Sequence, residues 1–156
     1  MRTIALAACL LSPSLAVAHP LDDSLATATR EVRVARDLVL TYDDLHGLHG
    51  GDRYELEGRE LVHTHKARGP APATETRVTL SGSQLKELAE LLHGQALWEQ
   101  RTPARQARPD ESRARLSMTL DGQSAEVWEW YNEMPANDRL VRVRAALSRY
   151  AAGGAP

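Results

Sequence analysis

From Arg113 to Leu120 the chain alternates without a break. Ala114, Leu116, Met118 and Leu120 interleave with Arg113, Arg115, Ser117 and Thr119. Successive side chains of a strand point to opposite faces, so this segment has one apolar face and one wet face. Asp121-Gly122 follows, a pair suited to a two-residue hairpin turn. Ala125, Val127 and the cluster Trp128–Tyr131 form the return strand, and Met134-Pro135 ends it. A one-sided antiparallel hairpin needs a second layer over its apolar face, and the rest of the chain must supply that layer.

Two segments have helical spacing. Ser81 and Gln84 stand at the capping-box interval, and Leu85, Leu88, Ala89 and Leu92 make an apolar stripe behind them. His93-Gly94 reads as the stop, with Gly94 at the C′ position. Asn137 or Asp138 caps a second helix with Leu140, Val143, Leu147 and Tyr150 on one side. Strands are expected elsewhere. Glu31–Tyr42 carries Val32, Val34, Leu38, Leu40 and Tyr42 in a period-2 pattern, read as a strand or short hairpin. Arg53–Leu56 and Glu60–Lys66 flank a Glu57-Gly58-Arg59 turn, and Arg77–Leu80 is a further short strand. Ala67–Glu75 and residues 101–111 read as polar linkers.

The expected fold is therefore α+β: an antiparallel sheet of about five strands with two helices packed on one face. It forms a single domain over residues 31–151, preceded by a loosely ordered segment, 19–30, and followed by a frayed tail, 152–156. At 156 residues, 42% hydrophobic and 26% charged, the composition suits one globular domain and argues against disorder.

The N-terminus predicts export. Met1-Arg2 is a short positive region, Thr3–Leu11 is apolar, and Ala16-Val17-Ala18 is an A-x-A cleavage signal. Residues 1–18 are read as a cleaved signal peptide, which places the protein in the periplasm or outside the cell. The alternative is a lipoprotein anchored through Cys9, since Leu6-Ala7-Ala8-Cys9 fits a lipobox. No segment approaches the length of a membrane span. One Cys excludes a disulfide framework and any multi-Cys zinc site. A formal charge of −2 argues against nucleic acid as a partner.

Three constellations carry candidate chemistry. His46, His49, His63 and His65 fall in one short window, and neutral imidazole suits zinc or copper. His63 and His65 share a strand face, whereas His46 and His49 lie in a Gly-rich loop; the alternative is that all four are surface histidines. No acidic partner can be assigned to them. His19 would be the first residue after cleavage, where amine and imidazole together make a copper clamp. Trp128 and Trp130 beside Glu126, Glu129 and Glu133 suit a partner or sugar surface, although at least one face of that strand is expected in the core. Asp22-Asp23 and Asp43-Asp44 read as solvated acidic loops. No nucleophile elbow, metalloprotease helix or phosphate loop is present, so no catalytic residue is assigned.

The order of elements from about Leu38 to Tyr150 resembles the emfourin-type domains. The features that match are a first strand, the Gly50-Gly51 loop, a hairpin and a Ser-started helix with Leu85 and Leu88. A linker with Asp110, the Asp121-Gly122 hairpin and a closing helix follow. Characterised relatives inhibit thermolysin-like metalloproteases, so the resemblance implies an exported protease as partner. No inhibitory residue carries over from that family; contact is expected on the loop with Gly47, His49, Gly50 and Gly51, because loops on a rigid sheet carry recognition, with Trp128 and Trp130 as aromatic anchors. The chain departs from that pattern in its signal peptide, its leading segment and its histidines. His19-Pro20-Leu21 with the apolar residues up to Tyr42 also resembles exported N-terminal regions of nickel/cobalt transporters, without their membrane helices. Two functions are thus expected: a non-catalytic exported binding protein, an inhibitor by resemblance, or a periplasmic His-based metal binder.

Overall fold

The computed structural model describes residues 19–47 and 49–153. The signal peptide, Cys9 and the last three residues of the expected tail lie outside the described residues. Strands β1 (Val39–Asp43), β2 (Gly51–Glu57), β3 (Glu60–Lys66), β4 (Thr74–Thr79), β5 (Arg113–Leu120) and β6 (Gln123–Trp130) form one sheet in the order β4-β3-β2-β1-β5-β6. Every neighbouring pair is antiparallel. The α+β class and the antiparallel sheet agree with expectation; among the described residues the sheet has six strands, not about five. Four helices accompany the sheet: α1 (Pro20–Ala28), α2 (Val32–Ala35), α3 (Gly82–Gln95) and α4 (Asp138–Ala151).

The register explains the one-sided core. Leu40 stands opposite Leu56 and Met118, and Tyr42 opposite Tyr54 and Leu116. Leu56 pairs onward with Leu61, and Leu116 with Val127. Cross-strand partners share a face, so these residues form one apolar surface, and all are buried. They join Leu21 and Leu25 of α1, Leu85, Leu88 and Leu92 of α3, and Leu140, Val143 and Leu147 of α4 in one cluster. Burying a Leu or Val side chain contributes about 1.5–3 kcal/mol, so this surface is the main source of stability.

Residues 19–30 differ from the expected loose segment. They are helix α1, with Pro20 at its start, Asp22 and Asp23 in its first turn, and Leu21, Leu25 and Ala28 wholly buried. Asp22 stays solvent-exposed, but on the first turn of a helix and 3.3 Å from His93, not in a loop. The strand expected over Glu31–Tyr42 is real only from Val39, because Val32–Ala35 turns as α2. Helix α3 has the expected capping box at Ser81 and Gln84 but runs past Gly94; Ala96 takes the left-handed C-cap at φ 42°. Asn137 caps α4 by accepting from the Leu140 N–H. In the β5–β6 turn both Asp121 (φ 50°) and Gly122 (φ 71°) are left-handed, as the expected hairpin requires.

The face question at Trp128–Tyr131 also has an answer. Val127 packs in the core, and Trp128 and Trp130 lie on the opposite face. Trp130 is nonetheless buried, because Arg105 and Arg113 lie over its ring at 4.8 and 5.0 Å. The polar linker over residues 101–111 thus covers this face. Arg105 bridges Glu111 (2.6 Å) and Glu133 (2.7 Å). The Glu111 side chain is only 1% exposed, and its hydrogen bonds from Arg105 push its pKa down to about 2.

Candidate metal centre

The β2–β3 hairpin brings together residues that are far apart in the chain. Asp52 stands opposite His65, and Tyr54 opposite His63. All four lie on the face that carries Leu56 and Leu61, the core face. The expectation that His63 and His65 are surface histidines on a wet strand face therefore fails for His63, whose side chain is 20% exposed. His65 is 51% exposed and opens the group to solvent. The Tyr54 ring stacks on His63 at 4.4 Å and 4° and fixes the imidazole plane.

Both imidazoles converge on one atom. His63 Nε2 is 2.8 Å and His65 Nδ1 2.9 Å from Asp52 Oδ1. A carboxylate oxygen accepts, so each of these nitrogens donates its proton. The three atoms all lie within 4.8 Å of one another. The other oxygen, Oδ2, accepts from Arg144 Nη2 of α4 at 2.7 Å. Burial alone would raise the Asp52 pKa; the hydrogen bonds from His63 and His65 and the Arg144 charge outweigh it and hold the carboxyl ionised below its ordinary range.

Behind Asp52 stands Asp44, a wholly buried acid just after β1. Its Oδ1 accepts the Asp52 N–H at 2.7 Å, and its Oδ2 accepts from the Tyr42 hydroxyl at 2.9 Å. Arg144 Nε lies 2.9 Å from Oδ2. Burial first, and the Asp44 charge second, raise the Tyr42 pKa, so the phenol stays a donor. Asp44 is therefore not a solvated loop acid. It holds the backbone of Asp52 and anchors Arg144, the kind of support that orients a ligand carboxylate.

The Gly-rich loop serves this arrangement through its backbone. A Cβ on Gly50 would meet the Lys66 carbonyl oxygen at 2.2 Å, and one on Gly51 the Asp44 carbonyl oxygen at 2.5 Å. Both have positive φ, 78° and 137°. Gly47 accepts from Lys66 Nζ at 3.0 Å. His46 and His49 stack on each other at 4.8 Å, and His46 Nδ1 accepts the His49 N–H. They stand outside the group formed by Asp52, His63 and His65. His19 is apart as well: its Nδ1 accepts the Leu21 N–H at 3.2 Å, and its ring stacks on Trp98. That nitrogen is the one an amine-imidazole clamp would use. Of the five histidines considered as ligands, the structure joins two, and it adds Asp52.

The donor set fits a transition ion. At zinc–ligand bonds of about 2.1 Å a tetrahedral ion spaces its ligand atoms about 3.4 Å apart. Opening the two Asp–His contacts by about half an ångström, while the imidazoles draw together, reaches that geometry. The ion would replace the two protons that Asp52 now accepts. No helix among the described residues is long and apolar enough to cross a membrane. No family model matches the chain, and no curated protein does so either. The geometry of this centre therefore carries the functional argument.

Proposed function

We propose that the protein is an exported metal-binding protein that holds one zinc or copper ion on Asp52 Oδ1, His63 Nε2 and His65 Nδ1. The observation that carries this reading is the convergence of both imidazoles on one oxygen of an ionised carboxylate whose other oxygen Arg144 holds. Two nitrogens and one oxygen are a donor set that zinc and copper both accept. Exposed His65 supplies the path for entry and release, which suits a carrier or store. The signal peptide expected from the N-terminus sets the compartment, where no mature thiol competes for the ion.

The test is a zinc and copper titration of the purified protein. His63→Ala and His65→Ala should each weaken binding by more than about tenfold, and Asp52→Asn by a comparable factor. A variant with both His46→Ala and His49→Ala should bind like the parent. Parent-like affinity in the His63→Ala/His65→Ala double variant overturns the proposal.

A further inference from the structure

The proposed centre has three protein donors, and a transition ion takes at least one ligand more. Arg144 marks what that ligand is, an inference that rests on the metal reading above. Its guanidinium binds Asp52 Oδ2 through Nη2 and pairs with Asp44 through Nε. Nη1 makes no hydrogen bond among the described residues, and the side chain is 37% exposed. One guanidinium nitrogen is thus hydrogen-bonded to Asp52 and another ion-paired with Asp44, while part of the side chain reaches solvent one carboxylate away from the ion position.

Charge points the same way. Asp44, Asp52 and Arg144 together leave one negative charge, and neutral imidazoles add none. A divalent ion turns this into one positive charge in a partly buried setting, where an uncompensated charge is costly. Asp52 spans the ion and the guanidinium through its two oxygens. A second anion with two oxygens matches the same pair of partners from the open side, and guanidinium is suited to such a group.

We propose that the metal-loaded centre binds a small oxyanion, a carboxylate, bicarbonate or phosphate, held jointly by the ion and by Arg144. Metal and anion then bind cooperatively, each raising the affinity for the other by the same factor. The anion can come from an organic acid or from inorganic bicarbonate or phosphate. The chemistry is shared, and separate titrations distinguish the sources.

The experiment loads the full mature chain with cobalt(II), whose visible spectrum reports its ligands. Acetate, bicarbonate and phosphate are added separately in a non-coordinating buffer. The expected result is a saturable spectral change with at least one of them. Cobalt affinity should rise several-fold at saturation, and metal-free protein should bind the same anion more weakly by that same factor. Arg144→Lys keeps a positive charge beside the buried Asp44 but loses the planar fork; its own cobalt affinity falls with the support of Asp52, and the rise of that affinity on adding anion should fall to near onefold. Should that variant fail to fold, cooperativity in the parent decides alone. A cobalt-loaded parent whose spectrum and metal affinity ignore all three anions overturns the proposal and leaves the metal reading standing. A change lost with His46→Ala or His49→Ala, not with Arg144→Lys, also overturns it, because the open position then belongs to an internal ligand. A parent that binds no cobalt overturns both readings.

Discussion

At the scale of single residues, the centre depends on Asp52 and on what aims it. Gly51 has no room for a methyl group against Asp44 and sits at φ 137°. Gly51→Ala should therefore cost about 1–3 kcal/mol in urea unfolding, and it should also weaken metal binding by moving Asp52. The histidines are visible in the chain as soon as they are counted. Asp52 is not, because the Gly-rich stretch 43–52 that it closes reads as loop. The signal was present: the Gly58-Arg59 turn pairs Glu57 with Glu60, and counting back from there sets Asp52 opposite His65. Asp44 and Arg144 gave no such signal. Arg144 meets Asp52 across 92 positions of sequence, and no local pattern reports a contact of that span.

At the scale of elements, local rules succeeded where the pattern was strong. The β5–β6 hairpin, the capping box of α3 and the apolar stripe of α4 all follow from spacing that can be read directly. Helix α1 was missed because its polar residues hid a short stripe, Leu21, Leu25 and Ala28, at i, i+4 and i+7. The end of α3 was placed at Gly94, on the general preference for glycine after a helix. The structure keeps Gly94 inside the helix, with no atom within 4 Å of a Cβ built there. Gly94→Ala should therefore stabilise the protein, by up to about 1 kcal/mol, read as a higher urea midpoint. An unchanged or lower midpoint would show that the helix ends at Gly94 after all. The paired tryptophans mislead in a different way. Trp130 is buried, yet outside the main core, because a segment without regular structure folds Arg105 over it. Periodicity cannot report that kind of cover.

At the scale of the whole molecule, the sheet separates two environments. The helix-covered face holds the core and, at its β2–β3 end, the Asp52–His63–His65 group proposed as a metal centre. The opposite face is polar, with the Arg105–Glu111 clasp over Trp130. This clasp ties stability to pH with a definite sign. The Glu111 pKa is held at about 2, below its ordinary 4.5, so its contribution is complete above that ordinary value. It is lost as pH falls from about 4.5 towards 2. Asp52, also held low, adds to the same trend. Glu111→Gln should flatten the fall of the urea midpoint across that window. An identical pH profile in parent and variant would contradict the clasp.

The most direct measurement of the central claim is metal stoichiometry by native mass spectrometry. The full chain is expressed with its own N-terminus, so that processing is natural, and is then exchanged with limiting zinc and copper. The account predicts one tightly held ion per chain in the parent, retained when His46 and His49 are both replaced by Ala and lost when His63 and His65 are. Equal metal retention by the parent and the His63→Ala/His65→Ala variant would contradict it.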